Sequence, residues 1–368
     1  MAKKASTSAA GQGTYLAEAA RAQRRVCTVT YPKGYMQAAP AGDERTRLLR
    51  ETKYKWLNGS QLRFWFYDKP KKWAGTEGDR QVVRQAFKMW KALGIGLEFA
   101  EVANAKDADI RIAFLDGDGS WSYIGTDVLT KREDPRTMNF GWSLTEDPAE
   151  GLDTALHEIG HTLGFPHEHQ NPFAGIVWNE AAVYKSLAAP PNNWSKATTR
   201  HNIIDKLQAD KVQGSSWDPN SVMHYPFDPG LIVQPKKYAK GLFPKGGLSA
   251  RDRKWAKTFY PELKPAAVKA LQPFKANSLY LGSGQQADFT FKPIETRDYE
   301  FRTFGDADAL MALFRQAQPR GKPLALEDDG GTNDNAHLKV HLDAGKEYLL
   351  RLRLRYAKKP GQAAVMVW

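Results

Sequence analysis

The sequence predicts an α+β domain, with a mixed sheet and a histidine-bearing helix, followed by an all-β sandwich domain. Its 368 residues exceed the usual size of a single hydrophobic core, which favours two domains. Strand and helix patterns alternate over residues 53–262, whereas residues 277–368 show only the alternating pattern of strands. Proline, lysine and alanine mark 263–276 as a linker. Residues 1–52 form an N-terminal extension, where a pro-segment would also lie.

Composition indicates well-filled cores and a basic surface. Hydrophobic residues make up 42% of the chain, including 11 Trp, 14 Tyr and 17 Phe, which is enough for two cores. No apolar run reaches the roughly 20 residues of a membrane helix, so no transmembrane segment is expected. The net charge of +12 has two readings, a solvated basic surface or a surface for a polyanion such as matrix or a cell surface. No nucleic-acid-binding module accompanies it, so no specific nucleic-acid partner is expected.

The element order of the first domain follows from hydrophobic spacing. The aromatic run Leu62–Tyr67 predicts a strand, and apolar spacings of three and four over 77–93 predict an amphipathic helix. Residues 97–102 and 109–114 alternate and predict two more strands, with a further short strand at 137–142.

The later part of this domain is less regular in its pattern. After His167 we expect irregular structure up to about residue 200, and a long Pro-, Gly- and Lys-containing loop over 226–247. Ser249 then suits the N-cap of a helix that runs to Tyr260.

Three histidines and a glutamate have the spacing of a catalytic zinc site. His157 and His161 are four apart, so on a helix predicted over 149–163 they project from one face and suit two corners of a tetrahedron around Zn²⁺. His167 can supply a third corner, which leaves the fourth position open, as in catalytic zinc sites. Glu158, beside the first ligand, is placed to act as a base on the attacking water.

Gly164 predicts where this helix ends, because glycine accepts the left-handed conformation of a helix C-terminus. The chain can then turn back and bring the third histidine to the metal. Two other interpretations remain. One is a helix whose core histidines are satisfied by hydrogen bonds. The other is a closed structural zinc site, which is disfavoured because no cysteine lies near the motif in the sequence.

The motif as a whole resembles a known family. The stretch has the pattern H-E-x-x-H-x-x-G-x-x-H, and Ser221–Tyr225 supplies S-x-M-x-Y about fifty residues later, a pair typical of metzincin peptidases. Phe165 and Glu168 match the astacin version, G-F-x-H-E. Residues 169–172, His-Gln-Asn-Pro, depart from the usual Arg/Asp-rich continuation and look like a bacterial branch. The chain therefore resembles an astacin-type metzincin over residues 53–262.

This resemblance implies a zinc-dependent endopeptidase with one catalytic Zn²⁺ held by the three histidines. It implies that Tyr225 is an additional zinc ligand that swings away to stabilise the transition state, and that Met223 forms a hydrophobic floor. In animal members of the family, the glutamate that Glu168 matches is bound to a freshly cut N-terminus. The edge strand that binds an extended substrate corresponds to Ser120, Trp121, Ser122 and Tyr123.

The resemblance also implies that the 226–247 loop lines the pocket for the residue after the scissile bond. Lysines in this loop either favour acidic side chains there or are simply solvated. They are Lys236, Lys237, Lys240 and Lys245.

Cys27 is the single cysteine, so the chain has no intrachain disulfide. It lies in a β-like run, Val26–Tyr31. A thiolate is a strong zinc ligand, and in some metzincins a pro-segment cysteine occupies the open position and holds the enzyme latent. The other interpretation is a small buried hydrophobe in a strand.

The second domain resembles the β-sandwich appended to many secreted bacterial peptidases, the PPC type. Alternation over 348–356 places Tyr and Leu on one face and Arg351, Arg353 and Arg355 on the other, which predicts an antiparallel strand buried on one side. The arginine face is either solvated or binds a polyanion. Calcium or simple turn chemistry would each suit the acidic turns Asp116–Gly119 and Asp328–Asn335.

Protein or peptide substrates and a monomeric state are therefore expected. Two alternatives are a binding protein that uses the β-sandwich and basic surface, with an inactive or latent peptidase domain, and a zinc enzyme acting on a non-peptide substrate. The N-terminus shows no secretory signal, whereas the resemblance implies secretion; cytoplasmic location or export by a non-classical route is the alternative.

Overall fold

The computed structural model describes most of the chain in two compact units. Described are residues 26–28, 54–131, 133, 135–207, 217–263, 268–281, 286–319, 323–327, 330–331, 335–354 and 361–368. The first unit contains residues 66–86 and 110–249 with the described residues up to Lys55, and the second contains 56–65, 87–109 and 250–368. The predicted domain boundaries stay a prediction.

The elements up to residue 259 largely follow the predicted order. They are β1 (Gln61–Phe66), α1 (Glu77–Lys91), β2 (Glu98–Glu101), β3 (Ile110–Ala113), β4 (Trp121–Ser122), β5 (Met138–Asn139), α2 (Pro148–Thr162), β6 (Val177–Trp178), α3 (Glu180–Ala188), α4 (Lys196–Thr199), β7 (Ile232–Gln234) and α5 (Ala250–Phe259).

The expectation of irregular structure between His167 and residue 200 is wrong, because α3 and α4 lie there. The Asn179 side chain caps α3 by accepting a hydrogen bond from the Ala182 N–H. Only Val183 and Leu187 of this helix are buried, so its apolar face is too narrow to show clearly in the sequence.

The first unit places an edge strand and the histidine helix together. β3 and β5 are parallel, and β4 pairs antiparallel with β5 and ends the sheet, which confirms a mixed sheet. A buried apolar cluster supports the loops beyond α2, and Cys27 belongs to it. Its other buried members are Ile124, Ala174, Ile176, Val183, Leu187, Ile203, Leu207, Tyr225, Phe227, Ile232 and Leu242.

The second unit contains the parallel pair β1 and β2 and the predicted sandwich. The sandwich strands are β8 (Lys269–Ala270), β9 (Asn277–Leu281), β10 (Gln286–Phe291), β11 (Arg297–Gly305), β12 (Ala309–Arg315), β13 (Ala325–Glu327), β14 (His337–Leu342), β15 (Tyr348–Leu354) and β16 (Gly361–Val367). They form sheets of order β13-β12-β15-β10-β8 and β14-β11-β16-β9. All pairs are antiparallel except β8 with β10, and β8 lies in the predicted linker. Inward residues of both sheets share one core.

The arginine face of β15 is not solvated, so one of the two interpretations of this face, a solvated surface, is wrong. Arg351 and Arg353 are both buried, while Arg355 lies outside the described residues. Arg351 donates to both carboxylate oxygens of Asp288 on β10, at 3.0 and 2.9 Å, and Arg353 donates to the Phe259 carbonyl at 3.2 Å. Alternation identifies the two faces of a strand, but it does not show whether other parts of the chain cover them. This burial also gives no support to a polyanion site there.

No helix among the residues listed above combines the length and apolarity needed to cross a membrane.

Candidate metal centre and active site

The third histidine is brought back to α2 by a well-defined helix end. Asp147 caps the start of α2 by accepting from the N–H groups of Ala149 and Glu150, and Leu163 is the C-cap residue. Gly164 has φ +91° and donates to the His161 carbonyl at 2.8 Å. Phe165 donates to the Gly160 carbonyl at 3.0 Å, which completes a Schellman motif. The prediction that Gly164 ends the helix is confirmed.

Four donor atoms converge at this point, one more than the local motif predicts. The Cys27 Sγ lies 3.1 Å from the Nε2 atoms of both His157 and His167, and 3.6 Å from that of His161. The His157 and His161 Nε2 atoms are 3.0 Å apart, and all four ligand atoms lie within 4.8 Å of one another. Zinc takes four nitrogen and sulfur donors of this kind at roughly 2.0–2.3 Å each, so the type, number and convergence of these buried donors suit Zn²⁺.

The other ring nitrogen of each histidine has an oxygen partner. His157 Nδ1 lies 2.7 Å from the Val222 carbonyl, and His161 Nδ1 lies 2.8 Å from the Phe165 carbonyl. Carbonyl oxygens only accept, so each Nδ1 carries the proton and each Nε2 presents its lone pair to the metal position. Burial lowers the pKa of His157 to about 4 and keeps the ring neutral, as a metal ligand must be.

Gln170, which the sequence interpretation did not select, orients the third ligand. Its Oε1 accepts from His167 Nδ1 at 3.3 Å, while its Nε2 donates to the carbonyls of His201 and Asp205 at 2.7 and 2.8 Å. The two donated bonds fix the amide so that its oxygen faces the histidine. An amide three residues after the third histidine was the only signal in the sequence.

Tyr225 and Glu158 stand beside the donor set. The Tyr225 hydroxyl lies 2.6 Å from His167 Nε2 and 3.0 Å from Cys27 Sγ, and it donates to the Cys27 carbonyl at 2.5 Å. Glu158 is fully buried, and neither carboxylate oxygen has a hydrogen-bond partner within the described part of the chain. Burial raises the pKa of Glu158. A buried carboxylate without a partner indicates a site that a further molecule completes.

Cys27 lies at the metal position and not simply in a strand. Burial, with the Glu158 charge second, raises the pKa of its thiol, whereas a bound cation would favour the thiolate. Residues 26–28 have no regular secondary structure, and the remainder of the predicted run Val26–Tyr31 lies outside the described residues.

The segment Ser221–Tyr225, which is called the Met-turn, contacts both the α2 histidine His157 and the chain after His167 through its backbone. The Val222 carbonyl accepts from His157, and the Met223 carbonyl accepts from the Glu168 N–H at 2.9 Å. Met223 itself is buried. The Glu168 carboxylate accepts from the Asp218 N–H at 2.9 Å, which links it to the segment before the Met-turn.

A cavity of about 260 Å³ opens beside Cys27, His157 and Glu158. Of the four loop lysines only Lys245 lines it, whereas Asp147, Glu150 and Asp153 of the α2 region line it with carboxylates. Its charge therefore suits a basic side chain and gives no support to a preference for acidic ones.

The remaining predicted site residues are placed as follows. Trp121 and Ser122 form the edge strand β4, with Ser120 and Tyr123 flanking it. The Asp118 carboxylate pairs with Arg136 at 2.7 Å, and most of the acidic turn 328–335 lies outside the described residues. Calcium is therefore not supported at either turn.

These features define a metzincin-type metal centre: two histidines on helix α2, a third histidine after the turn at Gly164, and the Met-turn, whose backbone contacts His157. Two comparisons specify it. A family model described as Astacin, a peptidase family, matches residues 49–229. The structure of myroilysin is 33% identical with a TM-score of 0.51, over 57% of this chain and 97% of that one. The chain belongs to the astacin family.

Two curated relatives are more distant. Karilysin of Tannerella forsythia is 25% identical over 198 residues, which is 45% of this chain and 41% of karilysin. Zinc metalloproteinase nas-27 of Caenorhabditis elegans is 24% identical over 139 residues, 36% of this chain and 29% of the relative. The chain therefore spans less than half the length of the curated relatives it matches.

Proposed function

We propose that the protein is a zinc-dependent endopeptidase held latent by Cys27. The observation that carries this proposal is the convergence of Cys27 Sγ with the Nε2 atoms of His157, His161 and His167. Membership of a peptidase family and the similarity to a zinc metalloproteinase support the cofactor and the reaction class.

A donor set of three histidines and one cysteine would also suit a closed structural zinc site. Three features favour a latent catalytic site instead. Glu158 is buried beside the donors without a partner, Tyr225 presents its hydroxyl to a peptide carbonyl, and a cavity opens directly beside them. A closed structural zinc site requires only its four ligands and none of these three features. They also argue against the alternative that the domain serves only in binding.

Zinc held by the three histidines would lower the pKa of an attacking water and polarise the scissile carbonyl. Glu158 accepts the proton of that water and passes it to the leaving amine. Its buried position beside the donor set, with no hydrogen-bond partner among the described residues, suits a group that takes a proton from the water and releases it to the amine. Tyr225 donates a hydrogen bond to the oxyanion that replaces the scissile carbonyl oxygen, as it donates to the Cys27 carbonyl here.

Latency follows if Cys27 occupies the fourth position, because the substrate then has no access to the metal. The Cys27 carbonyl also accepts the hydrogen bond of Tyr225, so residues 26–28 block both the fourth ligand position and the tyrosine that would bind the oxyanion. Secretion stays a prediction from the resemblance.

The test is chelator-sensitive cleavage of an unstructured protein such as casein by the full-length chain. Cys27→Ala should raise activity above that of the wild type. Glu158→Gln in the Cys27→Ala background should keep stoichiometric zinc and lose activity by at least 10²-fold, because only the base is removed. Full activity in the Glu158→Gln variant, or no chelator-sensitive cleavage in Cys27→Ala with zinc bound, would refute the proposal.

A further inference from the structure

Residues Val26–Thr28 show how a peptide main chain is held at this site. The Cys27 carbonyl accepts from the Tyr225 hydroxyl, and the N–H of the same peptide group, on Thr28, donates to the Ser120 carbonyl at 3.1 Å. The oxygen and the N–H of a trans peptide group point in opposite directions, so Tyr225 and Ser120 hold this group from two sides. The Ser120 contact uses the main chain immediately before the edge strand β4.

A third main-chain contact comes from a residue that no motif in the sequence marks. The Val26 N–H donates to the Asn192 side-chain oxygen Oδ1 at 3.2 Å. Asn192 lies in the turn between α3 and α4 and is half-buried. It also lines a small cavity of about 60 Å³ together with Val26, Leu187 and Phe227. Val26 borders both this cavity and the larger one beside Glu158.

We propose that Asn192 is a substrate-binding residue whose Oδ1 accepts a hydrogen bond from a main-chain N–H of the bound peptide. The inference rests on the proposed peptidase function, since it assigns to a substrate the path that residues 26–28 take here. An N–H group is present at every residue except proline, so this contact favours an extended peptide without selecting its side chains.

The contact to Asn192 serves binding and orientation, because Oδ1 reaches the main chain one residue before the Cys27 peptide group that Tyr225 engages. Removing a neutral hydrogen bond of this kind changes an equilibrium by roughly 2- to 12-fold. The expected effect of losing the acceptor is therefore a rise in peptide Kd and KM of that size.

The test uses the full chain carrying Cys27→Ala, with and without Glu158→Gln, and a set of matched peptides. In each peptide one backbone amide is N-methylated, which removes a single N–H donor. Kd is measured on the form carrying Glu158→Gln, and KM and kcat on the other form. Methylation of the amide that meets Asn192 should weaken binding by 2- to 12-fold when Asn192 is intact, whereas methylation of the amide that meets the Ser120 carbonyl should weaken binding equally with or without Asn192.

The variants Asn192→Leu and Asn192→Asp make the assignment specific. In Asn192→Leu the unmethylated peptide should bind 2- to 12-fold more weakly, and methylation at the sensitive position should cost nothing further. Asn192→Asp keeps an acceptor oxygen and should restore the sensitivity. Unchanged Kd in Asn192→Leu, additive effects of methylation at every position, or no peptide binding at all would overturn the inference. Binding with this coupling but no cleavage would leave it standing and refute the peptidase proposal.

Discussion

Gln170→Leu should weaken zinc binding without removing a zinc ligand. The substitution conserves side-chain volume but deprives His167 Nδ1 of its acceptor oxygen. Partners of this kind typically contribute 10- to 100-fold to metal affinity, or about 1.4–2.8 kcal/mol. At 3.3 Å the His167–Gln170 contact is long for an N–H···O bond, so we expect the lower end, about tenfold.

The same substitution should also lower the free energy of unfolding. The half-buried residues His201 and Asp205 lose the hydrogen bonds that Gln170 donates to their carbonyls, and each such bond contributes about 0.5–1.5 kcal/mol. Gln170→Glu separates the two effects, because it keeps an oxygen for His167 and loses the donors. It should lose stability while retaining more of its zinc affinity than Gln170→Leu.

The assay is competition for zinc by a chelator of known affinity, under conditions where circular dichroism shows each variant folded. Asn202→Leu is the matched control, since Asn202 is a buried amide whose Nδ2 donates to the Thr198 carbonyl. It should destabilise the fold and leave zinc affinity unchanged. Wild-type zinc affinity in folded Gln170→Leu, or an equal loss in Asn202→Leu, would show that the role assigned to Gln170 is wrong.

Three further predictions concern the cavity and the fold. In the Cys27→Ala background, Glu150→Gln removes one carboxylate from the lining of the larger cavity. It should lower the preference for arginine over glutamate after the scissile bond by about 2- to 5-fold. An unchanged ratio of kcat/KM values for the two peptides contradicts this. Gly125→Ala should destabilise by about 3 kcal/mol or prevent folding, because φ is +50° and the new Cβ would meet the Tyr54 carbonyl oxygen; thermal unfolding measures it. Arg351→Met should cost on the order of 3 kcal/mol in urea unfolding, since it leaves Asp288 without its cation; a neutral result would show the ion pair to be dispensable.

Much of the fold followed from local pattern. Spacings of three and four placed α1 and α2 within two residues of their observed bounds, and alternation over 348–356 found the long sandwich strand β15. Pattern failed where elements were short or weakly periodic, as in α3, and where a face was covered by distant parts of the chain, as in β15.

The sequence by itself determined the chemistry of the metal centre, because histidine spacing on a helix and a glycine at its end are local properties. Only the tertiary structure decided how that centre is completed. It brings Cys27 to the three histidines from 130 residues away, turns the Gln170 amide toward His167 and sets Asn192 against the main chain of Val26. The Cys27 and Asn192 contacts join segments far apart in the chain, and the Gln170 amide is turned by its bonds to carbonyls 31 and 35 residues later. No periodicity in one segment encodes which distant partner it will meet.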